Sequence, residues 1–233
     1  MKKAKDNEAV RPAGTGFFYL EESLLINDAI SYLAVKVHSY KKKYGKKAVL
    51  FTGCGASNGT TKIAVNLAMA LSQSGHKTLL IDADVRKGSV LDNGLCDFLQ
   101  RGSDFDKVVR PSNLPGLDFV PSGSCEKNSA LLLCSGLMAD FMGIAASKYD
   151  YVIIDCPSVT VSSDAAAMFM NADGIVLVCS LNETTKRQLQ SAKNAVEPYS
   201  DKYYGLVVNS LEEKKYKRLF PQCGYYRGRE HTK

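Results

Sequence analysis

Several signals are missing from this chain of 233 residues, and each absence narrows what it does. No apolar run approaches the ~18–20 residues needed to cross a bilayer. The first residues, Met1-Lys-Lys-Ala-Lys-Asp6, are charged and carry no apolar core of a signal peptide. Together these gaps predict a cytoplasmic protein whose membrane association comes through a partner. Seven cysteines occur without a C-x-x-C pair or any metal-like spacing. With Cys134, Cys156 and Cys179 inside apolar runs, reduced thiols are expected rather than a disulfide framework. No internal repeat or low-complexity block stands out. The net charge of +6 is modest and uneven. It gathers at Lys41-Lys42-Lys43 with Lys46-Lys47, and again in the tail from Lys214 to Lys233. Such clusters more often flank a core as solvated faces than hold nucleic acid, which is not an expected partner.

What is present centres on Ala48 to Ile81. The apolar run Ala48-Val-Leu-Phe-Thr52 ends in a loop of small residues, Gly53-Cys-Gly-Ala-Ser-Asn-Gly59. Ile63, Leu67, Ala70 and Leu71 then recur at helical spacing, Gly75 closes that pattern, and Thr78 begins a second apolar run. Strand, glycine-rich loop, helix and strand form a βαβ unit. A loop of this kind aims backbone N–H groups and the positive helix end at an anion, most often a nucleotide phosphate. The plainer reading is a tight turn that starts a helix. A P-loop reads G-x-x-x-x-G-K-[ST]. Here Thr60 holds the lysine position, Cys54 holds that of the first glycine, and Lys62 falls two residues late.

The second strand runs into Asp82-Ala-Asp84, at the carboxyl end where parallel sheets place ligands. If the strand continues, alternation sends both carboxylates to one side, toward one Mg²⁺. Tyr151-Val-Ile-Ile-Asp155 is a further apolar strand ending in an acid. Elsewhere the pattern predicts a helix over 23–40, a short turn or helix over 94–99 and a strand from Leu117 to Pro121. Asn128 to Leu133 leads into a helix ending near Ser147, another helix runs from Asp164 to Met170 and a third from Glu183 to Tyr199. Strands are expected at Gly174–Cys179 and Tyr204–Asn209. Alternating strands and helices with near-continuous apolar strands predict an α/β three-layer sandwich with a doubly wound, mostly parallel sheet. The expected division is a loose segment over 1–22, one domain over 23–211 and a basic, tyrosine-bearing tail over 212–233.

This succession resembles the cytoplasmic domain of the bacterial tyrosine kinases that regulate capsular and exopolysaccharide export. Those belong to the wider MinD/ParA-like ATPases with a deviant Walker motif. The residues that carry the resemblance are the loop with Asn66-Leu67-Ala68, Leu79 to Lys87, and Gly94-Leu95 with Asp97 and Leu99. They continue with Leu117 to Gly123, Asn128, Leu131-Leu132, Tyr149 to Pro157, Asp164, Asp173-Gly174 and Gly205 to Asn209. The resemblance implies ATP on Ser57, Asn58, Gly59, Thr60, Thr61 and Lys62, with Asn209 reading adenine. It implies Mg²⁺ on Thr61, Asp82 and Asp155. Asp82 or Asp84 would accept the tyrosine proton, with Asp155 completing the catalytic set. Phosphoacceptors would be Tyr216, Tyr225 and Tyr226, modified between neighbouring copies of a homo-oligomer. The implied partner is a membrane-anchored polysaccharide co-polymerase or adaptor.

Departures from the family pattern open two other readings. Thr60 removes the cation that clamps phosphate, a role that Lys62, Arg86 or Lys87 would have to supply. The family's oligomerisation helix carries E-x-x-R-x-x-R, and the matching positions here are Asp28, Ser31 and Ala34. A nucleotide-binding regulatory subunit with little catalysis is therefore the alternative. A partitioning or positioning ATPase of the MinD/ParA kind ranks last, because no lysine occurs between Phe51 and Gly59.

Overall fold

Strands of this chain read as continuous apolar runs because both of their faces are covered. Residues 24–86, 93–125, 128–181 and 183–209 are described in the computed structural model. The sheet runs β3-β4-β2-β5-β1-β6-β7. Its strands are β1 (Ala48–Gly53), β2 (Thr78–Asp82), β3 (Arg110–Pro111), β4 (Leu117–Val120), β5 (Tyr151–Asp155), β6 (Gly174–Ser180) and β7 (Tyr203–Asn209). Every pairing is parallel except that of β3 with β4. Central β1 lies between β5 and β6, so the carboxyl ends of β1, β5 and β2 share one edge.

Alternation along the strands builds a core on each face. Val49, Phe51, Leu80, Tyr151 and Ile153 meet α1 (Leu24–Tyr44) and α2 (Thr60–Gln73) through Val37, Leu67 and Leu71. Leu50, Ile81, Ile154 and Leu177 face the other way. There they meet α3 (Leu95–Arg101), α6 (Gly136–Lys148), α7 (Ser163–Met168) and α8 (Lys186–Val196) through Leu99, Phe141, Met168 and Ala192. This is the expected three-layer, doubly wound architecture.

Local chemistry moves several boundaries. The N-terminal helix continues to Tyr44, where Gly45 adopts φ +70 and donates its N–H to the Lys41 carbonyl, a turn that glycine tolerates. The stretch that leads into the helix ending near Ser147 is itself helical, α5 (Ser129–Leu133), and is divided from α6 at Cys134 and Ser135. The helix expected from Glu183 starts at Lys186, because Thr185 accepts the Gln188 N–H as its N-cap. Two short elements, α4 (Phe105–Val108) and the antiparallel β3, carry too few residues for a periodic signal.

The cysteines also correct an expectation. Cys96 and Cys125 form a disulfide with Cα atoms 5.2 Å apart, while Cys54, Cys134, Cys156 and Cys179 are free. Cys134 is exposed rather than buried in an apolar run. Among the described residues no helix is long and apolar enough to cross a membrane.

Candidate nucleotide site and an adjoining cleft

Helix α2 opens without a side-chain cap and without an acidic residue in its first turn. Its leading N–H groups therefore lack the side-chain partner that helix starts usually recruit, which leaves them suited to an anion. Gly59 makes the entry at φ +77, and a Cβ there would collide with the Asn209 amide. Only glycine fits both demands.

The loop ahead of Gly59 is tied at nearly every residue. Cys54 donates its N–H to the Val178 carbonyl at 2.8 Å, and Gly55 donates to Asn58 Oδ1 at 2.7 Å. The Gly53 carbonyl accepts from Ser158 Oγ at 2.9 Å, and the Cys54 carbonyl from Thr160 Oγ1 at 3.0 Å. Asn209 Nδ2 donates to the Asn58 carbonyl at 2.9 Å, which brings the end of β7 against the loop. Asn58 is thus a buried brace of the loop, whereas Ser57, Thr61 and Lys62 are exposed and Thr60 is half-buried. Thr60 Oγ1 turns back over Gly53, within 3.1 Å of where a Cβ on that glycine would stand. The bracing role of residues 157–160 was not apparent in the sequence; Pro157, directly behind the Asp155 strand, is its nearest signal.

Two carboxylates stand on the loop's side of the sheet. Asp82 and Asp155 are register partners on adjacent strands. They share parity with Leu80 and with Ile153, which pack toward α2, so both side chains extend to that face. Strand β2 stops at Asp82, and Asp84 instead donates its N–H to Asp82 Oδ1 at 3.0 Å. The pair on adjacent strands therefore comes from Asp82 and Asp155, with Asp84 set beside it by a turn. The acids also register on the neighbouring thiol. Burial pushes the Cys156 thiol well up, and Asp155, Asp82, Asp84 and Asp164 add to the effect.

Among the described residues no three His, Cys, Asp or Glu side chains converge on a metal-sized site. A hydroxyl and two carboxylates fit Mg²⁺, which keeps waters and phosphate oxygens in most of its coordination sites. Uncapped amides, a braced loop and two acids across from it are accordingly a fitting cradle for a magnesium-bound polyphosphate.

Arg86 does not face this cradle. Its Nε donates to Asp164 Oδ2 at 2.8 Å and its Nη2 to Asp164 Oδ1 at 3.3 Å and Ser163 Oγ at 3.2 Å. Asp164 is fully buried and also accepts from Ser129 Oγ at 2.9 Å. The hydrogen-bonded carboxylate raises the Arg86 guanidinium above its ordinary value. This network borders a cleft of about 460 Å³ lined by Arg86, Cys125, Asn128, Ser129, Leu131 and Ser163. The sequence marked Asp164 as a family position without indicating that it anchors Arg86. Lys87 and the tail tyrosines Tyr216, Tyr225 and Tyr226 lie outside the described residues.

Comparison with known proteins gives relatives in sequence and in fold. A family model described as AAA domain matches residues 49–202. A tyrosine-protein kinase, YwqD of Bacillus subtilis (strain 168), is 36% identical over 187 residues, covering 77% of each chain. The kinase domain of the Escherichia coli tyrosine kinase ETK superposes with a TM-score of 0.74 at 25% identity, over 78% of this chain and 74% of that one. The septum site-determining protein MinD of Pyrococcus horikoshii OT3, solved with Mg-ADP, gives 0.58 at 16% identity over 72% of each chain, a likeness of fold alone.

Proposed function

The chain belongs to the bacterial tyrosine-protein kinases with an AAA domain, and from that membership we propose that it transfers phosphate from ATP to tyrosines, its own tail included, in the control of capsular or exopolysaccharide synthesis. The observation that carries this reading is the register of Asp82 with Asp155 on the α2 face, opposite the loop that enters α2 at Gly59.

In this reading the amides around Ser57, Asn58, Gly59, Thr60 and Thr61, together with Lys62, bind the polyphosphate. Asn209 reads the adenine. Thr61, Asp82 and Asp155 hold Mg²⁺ directly or through water. When bound, Mg-ATP supplies the phosphoryl group and neutralises the charge that builds on it. Asp82 or Asp84 accepts the phenolic proton of the incoming tyrosine. Phosphoryl transfer asks mainly for positioning and electrostatics, so so few side chains suffice. The acceptors are Tyr216, Tyr225 and Tyr226, presented by a neighbouring copy. The surrounding Lys214, Lys215, Arg218, Arg227 and Arg229 are attracted to the acids of the site. The anchoring partner is a membrane-bound co-polymerase or adaptor whose cytoplasmic segment recruits the domain.

A second reading is favoured by Thr60. With its hydroxyl over Gly53 and Arg86 bonded to Asp164, neither side chain supplies the phosphate-clamping cation. A nucleotide-binding regulatory subunit with little catalysis fits that arrangement. Incubating the full chain with Mg-ATP, with and without a candidate adaptor's cytoplasmic segment, and mapping phosphate by mass spectrometry separates the two. Phosphotyrosine that disappears in Asp82→Ala supports the kinase. Nucleotide binding without phosphate under either condition leaves the regulatory subunit.

A further inference from the structure

We propose that Cys96 and Cys125 form a reversible thiol–disulfide clamp that sets how firmly one wall of the Arg86 cleft is held. The bridge joins the first turn of α3 to the segment Pro121–Cys125 that leaves β4. Those pieces are already fastened without it. Leu95 donates to the Pro121 carbonyl at 2.8 Å and Cys96 to the Ser122 carbonyl at 3.0 Å. Gly94 and Gly123 lie so close that a Cβ on Gly94 would collide with the Gly123 backbone. The backbone thus holds the two Cα atoms 5.2 Å apart, inside the range a disulfide needs, so the bond opens and recloses without refolding.

The two sulfurs differ in access. Cys96 is wholly buried in the core, whereas Cys125 is half-buried and lines the cleft. Cys125 is therefore the entry thiol and Cys96 the resolving one. The Cys125 thiolate attacks a small-molecule disulfide RSSR, forming Cys125–S–SR and releasing RS⁻. The Cys96 thiolate then attacks the Cys125 sulfur and expels the second RS⁻. The balance is RSSR plus two protein thiols giving one protein disulfide and two RSH, with the protein oxidised by two electrons.

Opening the bond matters because of what lies beyond Cys125. Ser129 holds Asp164, and Asp164 holds Arg86. Reduction frees Cys125 from Cys96 and leaves Pro121 and Ser122 hydrogen-bonded to α3. In a reducing compartment, disulfides that form are chiefly transient and regulatory, which is the role assigned here. The clamp rests on this geometry and not on the kinase reading; only an effect on phosphate transfer would depend on that reading.

The test uses the full chain equilibrated in glutathione buffers of rising disulfide content, quenched with acid, alkylated and peptide-mapped. Amide exchange is followed in the same samples. Cys96 and Cys125 are expected to become protected together and to be released together by dithiothreitol. Reduction should speed exchange of the Ser122–Cys125 and Ser129–Leu133 amides by about tenfold while leaving β1 unchanged. Cys125→Ser should show the fast rates in both buffers. Persistent alkylation of both cysteines in the oxidising buffer overturns the proposal, and so do identical exchange rates in the two states. Phosphotyrosine measured in parallel reports on the kinase reading separately.

Discussion

Thr60 stands where a lysine would place a positive charge on the phosphate, and its hydroxyl reaches only as far as Gly53. A preorganised donor of that kind contributes roughly 3–4 kcal/mol to a transition state, or about 10²–10³ in rate. Thr60→Lys is accordingly expected to raise the rate of tail phosphorylation about a hundredfold, read as initial velocity in Mg-ATP. An unchanged rate would mean that another group already clamps the phosphate. Cys54 makes a different prediction within the same loop. Burial pushes its thiol up to about 12, with Cys179 adding to the effect. At pH 8 it should resist alkylation in the folded protein, while exposed Cys134 reacts. Asp150 supplies the pH dependence. Its hydrogen bond from Lys41 at 3.1 Å is the main cause that lowers its carboxyl below the ordinary 3.8, with the Lys77 N–H assisting. A depressed carboxylate contributes stability that is present above the ordinary value and lost as pH falls through the folded one. Asp150→Asn should therefore lower Tm at pH 7, and the gap to the parent should close only below about pH 4, as calorimetry across pH would record.

At the scale of elements, what can be read from sequence depends on how much each residue repeats its message. Central strands β1, β5 and β6 are buried along their whole length, so every position signals the same thing and their limits are predictable. The terminal acids of β2 and β5 were legible too, because Asp82 and Asp155 end apolar runs. Short elements such as β3 and α4 owe their existence to tertiary neighbours, and no local period announces them. The disulfide was hidden for a related reason. Cys96 and Cys125 are 29 residues apart, and only the packing of α3 on the end of β4 makes them neighbours. That packing yields a stability prediction. Gly94→Ala forces a methyl into the Gly123 backbone and should cost about 1–3 kcal/mol, seen as a lower urea midpoint with an unchanged slope. Gly143→Ala, inside α6 with nothing within 4 Å of the added carbon, is the contrasting control and should stabilise by up to about 1 kcal/mol.

Across the whole molecule, the sheet order brings the ends of β1, β5 and β2 to one edge and sets Asp82 beside Asp155 there. Fold and family were legible because motif order survives even where single motif residues change. The strength of the site was not, since it turns on whether a charge missing at Thr60 is replaced in space. The most direct measurement of the central claim is calorimetric titration of the full chain with ATP, in magnesium and in EDTA. Saturable binding is expected, weakening about tenfold or more when magnesium is removed, and equally in Asp155→Asn. Binding that is absent, or indifferent to both magnesium and Asp155, would contradict it.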